Sequence, residues 1–377
     1  MNEKTLTWKQ VAAWRLRRQR LDRRVPRAEM LDVTTAICGL HAQLMSSAEL
    51  TLWARVDDLE PDTVARALWE ERSLVKTWAM RGTLHLLPSA EFGTWAAALN
   101  TRRDYLKPYW LRNFGVTREE LERLLNAVNQ ALDGRELTRQ ELVDEVTRRT
   151  GSPAIGDKLR HGWGVFLKPS ASRGELCFAP SAGQNVRFAR PDQWLGPFAT
   201  IDGTDALREV TRRFLAANGP ATRDDLARWW GTQAAPAGKL LASLGDDLAP
   251  VTIDGVPHWM LAEKIAEAAT AQTPGVVRLL PAFDQYVVAA SRHAGNLMPG
   301  DFRARVFRSQ GWLSPVLLVD GRMEGVWRHE RKGRRLVVQI EPFAKQPGWV
   351  RAAAEAEAER LAGFLGGELE LGWQVNS

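Results

Sequence analysis

The sequence predicts an α+β chain of three tandem winged-helix (helix-turn-helix) domains followed by a C-terminal β-rich domain, on three observations. A unit of two or three helices followed by two short strands recurs at a spacing of roughly 80 to 90 residues. Its third copy reads plainly as three helices and a two-stranded wing. Beyond about Thr273 the texture changes to β-branched runs broken by two-residue turns. The expected segments are 1–90 (first winged helix), 91–196 (linker helices and second winged helix), 197–270 (third) and 271–377 (the β-rich domain).

In the first unit, helical periodicity covers 8–20, 26–41 and 47–56, with a short helix over 62–71. Alternating runs at 74–80 and 83–87 meet across Arg81-Gly82, a hairpin signal. The second unit opens on Thr117 with an acid three residues on, and Leu121, Leu124, Leu125, Val128 and Leu132 keep a helical stripe. Thr138 with Glu141 starts a second helix, 153–166 a third, and 175–178 with 185–188 make strands. In the third unit, 204–218 ends at Gly219-Pro220, Thr222 caps a helix through Trp230, and 235–244 follows. Strands 248–253 and 258–261 turn around Asp254-Gly255. The last domain is expected to hold strands at 275–281, 286–290 and 314–319. A meander 316–319, 322–329, 334–340 turns at Asp320-Gly321 and Lys332-Gly333, before a helix 349–365 and a strand 368–371.

The 377 residues are 45% hydrophobic and 25% charged, which excludes a disordered chain or a disulfide scaffold. No apolar run approaches the roughly 18 to 20 residues that span a bilayer. The N-terminal segment has no signal-peptide core, so the expectation is a cytoplasmic protein with no membrane partner. Cys38 and Cys177 fit a reducing compartment. The net charge of +6 is modest, but its placement is informative. The first thirty residues hold nine basic groups against three acids, and the remainder is close to neutral. A basic arm concentrated in this way points to a polyanion. Arginine outnumbers lysine 41 to 10, and arginine is the better fork-shaped donor to phosphate.

No phosphate loop, H-E-x-x-H or paired C-x-x-C is present, and Cys38 with His41 make only two ligands. Neither a metal nor a cofactor is expected. The segment His41-Ala42-Gln43 lies at the end of one expected helix, just before a capping box, Ser46 with Glu49, that begins the next. On a continuous helix, positions i and i+2 point about 200° apart and could not share a target. At a helix end they can. The plain alternative is that His41 satisfies a backbone carbonyl and Gln43 caps the helix.

The run Met80-Arg81-Gly82-Thr83-Leu84-His85-Leu86-Leu87 resembles the hairpin of the AlkZ-like DNA glycosylases, winged-helix proteins that remove alkylated bases. The resemblance continues through Leu40-His41-Ala42-Gln43, the stretch 279–286 (LLPAFDQY), Val326-Trp327-Arg328 and Lys332-Gly333, in order along nearly the whole chain. The family's catalytic pair is glutamine-x-glutamine, or glutamine-x-aspartate in a sister branch. The matching positions here are His41 and Gln43, with histidine replacing glutamine at the first.

The resemblance implies a monofunctional glycosylase that hydrolyses the N-glycosidic bond of N7- or N3-alkylpurines, bulky adducts and cross-links included. Its setting is base excision repair or antibiotic self-resistance. A purine alkylated at these nitrogens already carries positive charge and departs without a strong acid. Gln43 can hold the attacking water through its carbonyl and a neighbouring oxygen through its amide. His41 can accept the water's proton or orient it. The nearest lysines in sequence are Lys9 and Lys76, so sequence offers no Schiff-base candidate.

Two segments are expected to hold double-stranded DNA containing alkylated bases. One is the arm with Arg15, Arg17, Arg18, Arg20, Arg24 and Arg27, of which 17, 20, 24 and 27 would share one helical face. The other is the hairpin with Arg328, Arg331, Lys332, Arg334 and Arg335, a narrow basic ribbon suited to a groove. A solvated charged surface is the alternative for both. Arg81 and His85 read as structural, and Trp53, Trp78 and Trp229 as core anchors; Asp284, Tyr286 and Arg292 receive no role. A monomer is expected. The rival function is a non-catalytic winged-helix DNA-binding protein or transcription regulator, which would dimerise on a palindrome; no heptad or dimer helix is legible.

Overall fold

In the computed structural model, residues 4–290 and 294–374 are described; Arg292 lies outside them. The chain forms two compact units, Met1–Thr63 with Thr211–Ser377, and Val64–Val210. These units cut across the four segments read from the sequence, because the segments follow repeating elements whereas compactness follows packing.

In the first unit, Thr7 opens helix Trp8–Arg18 with a capping box whose partner is Gln10. Val11, Ala13 and Trp14 bury against Val251, Ile253, Met260 and Ala268. Strand Lys4–Leu6 lies parallel to Val251–Ile253, adding a third strand to the wing Leu248–Ile253/Val256–Leu261. That wing follows helices Gly203–Asn218, Arg223–Trp230 and Ala234–Ala242, the winged helix expected from the sequence. Thr222 and Asp225 make its capping box, and Gly231 closes the middle helix in the left-handed conformation.

The C-terminal sheet has five strands in chain order: Val277–Leu280, Val316–Val319, Arg322–Lys332, Arg335–Pro342 and Glu368–Trp373. The first three pairings are antiparallel. The last is parallel, with helix Gly348–Leu365 as its crossover. Asp320 and Gly321 both have positive φ, as a two-residue hairpin turn requires. A Cβ on Gly321 would lie 2.9 Å from the Tyr286 hydroxyl, which donates to the Gly321 carbonyl at 2.7 Å.

In the second unit, strands Leu74–Trp78 and Leu84–Pro88 pair antiparallel across Arg81 and Gly82, both at positive φ. Thr117 and Thr138 cap helices Arg118–Ala131 and Arg139–Thr150 with the two expected boxes. Helix Pro153–Phe166 follows, and strands Leu137–Thr138, Cys177–Ala182 and Asn185–Ala189 form a three-stranded sheet. Leu121, Leu124, Leu125, Val128, Phe178, Phe188 and Trp78 share one core. The whole is mixed α+β with helix-and-wing repeats and a C-terminal sheet.

Four local expectations are corrected. The helix expected over 26–41 covers only Met30–Ala36: Cys38 (φ 62°) and Gly39 (φ 90°) reverse the chain, and Gly39 N–H bonds Thr34 O at 2.8 Å. The next helix starts at Met45, with Leu44 at the cap position and no side-chain bond there, so Ser46 and Glu49 do not form a capping box. Residues 286–290 are not a strand but part of helix Gln285–Ala290, because the Asp284 carboxylate accepts from Tyr286 N–H at 2.9 Å and opens a helix. The arm helix ends at Arg18, and Arg20 (φ 55°) turns the chain away, so Arg17, Arg20, Arg24 and Arg27 do not share one helical face.

Candidate active site

The helix stop at Cys38-Gly39 leaves Leu40–His41 as a short extended strand, followed by a bend through Gln43 and Leu44 into helix Met45–Trp53. The strand ends at His41, so the bend at Gln43, rather than strand alternation, sets the relation between the two side chains. The His41 side chain is buried, whereas Gln43 is open to solvent.

The loop 281–285 supports this segment. The Phe283 ring stacks on the His41 imidazole with centroids 4.8 Å apart and planes 10° apart. The Gln285 amide donates to Gly39 O at 2.9 Å. Between them, Asp284 makes a two-pronged ion pair with Arg55 at 2.7 and 2.9 Å, both side chains 0% exposed. Arg55 also donates to Thr51 O and Gln19 O, tying the end of helix Met45–Trp53 to the arm. From sequence alone this loop has no assignable role. The signal was an acid amid an apolar run in Pro281-Ala282-Phe283-Asp284, answered by an arginine amid another, Leu52-Trp53-Ala54-Arg55-Val56. Buried charges demand a partner.

The basic arm divides into two groups. Arg15 is buried and donates to Gly219 O and Pro220 O at 3.3 and 2.8 Å; burial holds its pKa below the ordinary arginine value. Arg24 is clamped by Glu357 at 2.5 and 2.6 Å. Both guanidinium groups are engaged inside the protein, which corrects the expectation that they face DNA. Glu357 also faces Arg278, whose pKa burial pushes down to about 10. One turn on, Arg360 donates to the carbonyls of Trp53, Val56 and Asp57, locking the end of helix Met45–Trp53.

Arg18 donates to Ala216 O, and Arg27 meets Glu60 at 2.8 Å on the surface. Exposed Arg17 lies 3.7 Å from Glu267. With Arg20 and Arg23, it lines a concavity of about 440 Å³ closed by Asp22, Val25 and Pro274. Arg23 was not among the sequence candidates.

The other basic segment forms the exposed end of strands Arg322–Lys332 and Arg335–Pro342. Arg331 donates to Leu365 O and Gly366 O, the carbonyl end of the crossover helix, and Arg335 pairs with Glu370 at 2.7 Å. Arg328 stays 3.8 Å from Glu341, Lys332 3.4 Å from Glu330, and Arg334 has no side-chain partner among the described residues. In the second unit, His85 Nδ1 lies 3.0 Å from Thr83 O, and Arg81 forms the left-handed turn, consistent with structural roles. Trp53, Trp78 and Trp229 are buried, as expected of core anchors. Among the described residues, no group of three or more His, Cys, Asp or Glu is placed to hold a metal, and no helix is long and apolar enough to cross a membrane.

Helix-and-wing repeats and an exposed basic hairpin are features of a protein that works on DNA. Residues 34–364 match the family described as DNA glycosylase AlkZ-like. The chain belongs to that family and is a DNA N-glycosylase. It is 37% identical over 363 residues to the interstrand DNA cross-link repair glycosylase of Streptomyces sahachiroi, a match covering 94% of this chain and 96% of that protein. The solved structure of Streptomyces sahachiroi DNA glycosylase AlkZ aligns with a TM-score of 0.87 at 35% identity, covering 99% of this chain and all of that one.

Proposed function

We propose that this glycosylase hydrolyses the N-glycosidic bond of N7- or N3-alkylated purines in duplex DNA, bulky adducts and interstrand cross-links included, with His41 and Gln43 as its catalytic pair. The observation that supports the reading is the break between two helices, where the strand Leu40–His41 runs into a bend at exposed Gln43 and Phe283 from the loop 281–285 stacks on the His41 imidazole. Cross-links enter by similarity to the Streptomyces sahachiroi enzyme, whose description names them.

In the proposed reaction the cationic purine leaves, and an oxocarbenium-like sugar develops. Gln43 holds water against the anomeric carbon with its carbonyl oxygen, and its amide donates to a sugar or phosphate oxygen. The imidazole of His41 orients that water or takes its proton as the new C–O bond forms. Water, not an amine, is the nucleophile, so the enzyme is monofunctional. Arg17, Arg18, Arg20 and Arg27 of the arm and Arg328, Arg331, Lys332, Arg334 and Arg335 of the hairpin serve the DNA backbone, with Arg23 joining Arg17 and Arg20. Arg331 and Arg335 would have to exchange their present partners for phosphate. The protein acts as a cytoplasmic monomer in base excision repair or in self-resistance to a DNA-alkylating natural product.

Gln43→Ala tests the assignment: base release from an N7-alkylguanine duplex should fall at least a hundredfold, read as alkali-labile abasic sites, while duplex binding persists. Undiminished release by that variant would sink the catalytic pair. Borohydride added during turnover should trap no protein–DNA adduct; a trapped adduct would overturn the water mechanism.

A further inference from the structure

We propose that Trp312 is a stacking platform for a planar aromatic group presented beside His41, either a nucleobase or an aromatic adduct on it, and so a specificity-determining residue of the reaction. The inference rests on the proposed placement of the reacting centre at His41 and Gln43.

The indole is 42% exposed, among the few large apolar side chains left open to solvent. It does not sit on a loose segment. Phe307 and Leu313 form an antiparallel bridge, Arg308 N–H bonds Trp312 O at 2.9 Å, and Trp312 N–H bonds Ser309 O at 3.2 Å. Gln310 (φ 57°) and Gly311 (φ 77°) close this loop through two left-handed residues. The backbone is therefore built to hold the ring where it is.

One side of the ring is anchored and the rest is available. Trp312 meets Phe283 edge to face, centroids 5.1 Å apart and planes at 75°. Phe283 in turn lies flat on His41. Phe283 itself has φ 60°, a conformation that a bulky L-residue adopts only where its surroundings impose it. The chain thus accepts backbone strain to form a ladder of three rings running from the imidazole to an open indole.

A flat, polarisable surface beside a base-releasing centre has an obvious complement. Every nucleobase has a π-face, and stacking on an aromatic side chain is sequence-tolerant and strong enough to govern binding. Arg308, exposed at the base of the same loop and without a side-chain partner among the described residues, supplies a cation for the adjoining phosphate. Aromatic and cation on one tight loop match the composition of single-strand platforms.

The test compares wild type, Trp312→Ala, Trp312→Phe and Trp312→Leu on two duplexes. One carries a single N7-methylguanine; the other carries a guanine whose N7 substituent is a polycyclic aromatic group. Wild-type release from both is required first, and its failure would count against the proposed function rather than against this inference. Trp312→Ala should raise KM roughly tenfold or more with kcat at saturation little changed, Trp312→Phe should stay near wild type, and Trp312→Leu should follow alanine. A rise on both duplexes identifies the stacked group as a base; a rise on the aromatic adduct alone identifies it as the adduct. Unchanged KM on both duplexes would overturn the proposal. So would leucine performing as well as phenylalanine, since that would reduce Trp312 to an apolar prop for Phe283.

Discussion

His41 is placed from outside its own element: Phe283 covers one face of the ring, and Gln285 holds the backbone two residues earlier. Asp284 lies between them, its carboxylate fully enclosed with the Arg55 guanidinium. Removing one member of such a pair strands the other in a low-dielectric interior. Asp284→Ala is therefore expected to cost about 3–5 kcal/mol in denaturant unfolding. Base release should weaken as well, because the loop that carries Phe283 loses its anchor. His41→Gln gives the glutamine-x-glutamine pattern that the family resemblance implies at these positions. Base release should persist in that variant, measured as alkali-labile abasic sites.

At the scale of elements, what was legible followed from local signals. The capping boxes at Thr117, Thr138 and Thr222 and the turn at Asp320-Gly321 each satisfy backbone groups within a few residues, so sequence neighbours suffice to predict them. The stop at Cys38-Gly39 is equally local, but the apolar periodicity runs on through it and masks it. Helix Gln285–Ala290 was read as a strand because Val287-Val288 favours one; the Asp284 cap outweighed them. Arg15 and Arg24 carried charge without any sign of burial, since their partners lie about two hundred and over three hundred residues away. The stacking of Phe283 on His41 was not legible either, because the two rings lie more than two hundred residues apart in the chain.

Helix Met45–Trp53 also supplies a pH test. Burial pushes the Glu49 carboxyl up from its ordinary value of 4.5, so folding disfavours the ionised form. Its contribution is favourable in acid, below the unfolded value, and is lost as pH rises through the higher folded one. Glu49→Gln should accordingly raise the melting temperature at pH 7, and the gap from wild type should close toward pH 4.

For the whole molecule, the net charge of +6 says little about which cations are open to a partner. Two of the arm's arginines are consumed internally, while the hairpin leaves Arg328, Lys332 and Arg334 most available. Replacing Lys332 and Arg334 together by alanine should weaken binding to duplexes of any sequence. It should also lower the slope of log affinity against log salt by about 2, measured by fluorescence anisotropy. Loss confined to one sequence would contradict backbone contact.

The unit that holds His41 and Gln43 is discontinuous in the chain, with strand Lys4–Leu6 lying parallel to Val251–Ile253. On the ribosome, the first sixty residues emerge, the candidate pair with them, and then wait. The continuous unit Val64–Val210 has all its own residues and can fold meanwhile. The Arg55–Asp284 pair, the Phe283 stack and the Glu357 clamp cannot form until the C-terminal half has been made. The contacts around the candidate pair are therefore completed late in biosynthesis, and a prematurely terminated chain would carry His41 and Gln43 without them.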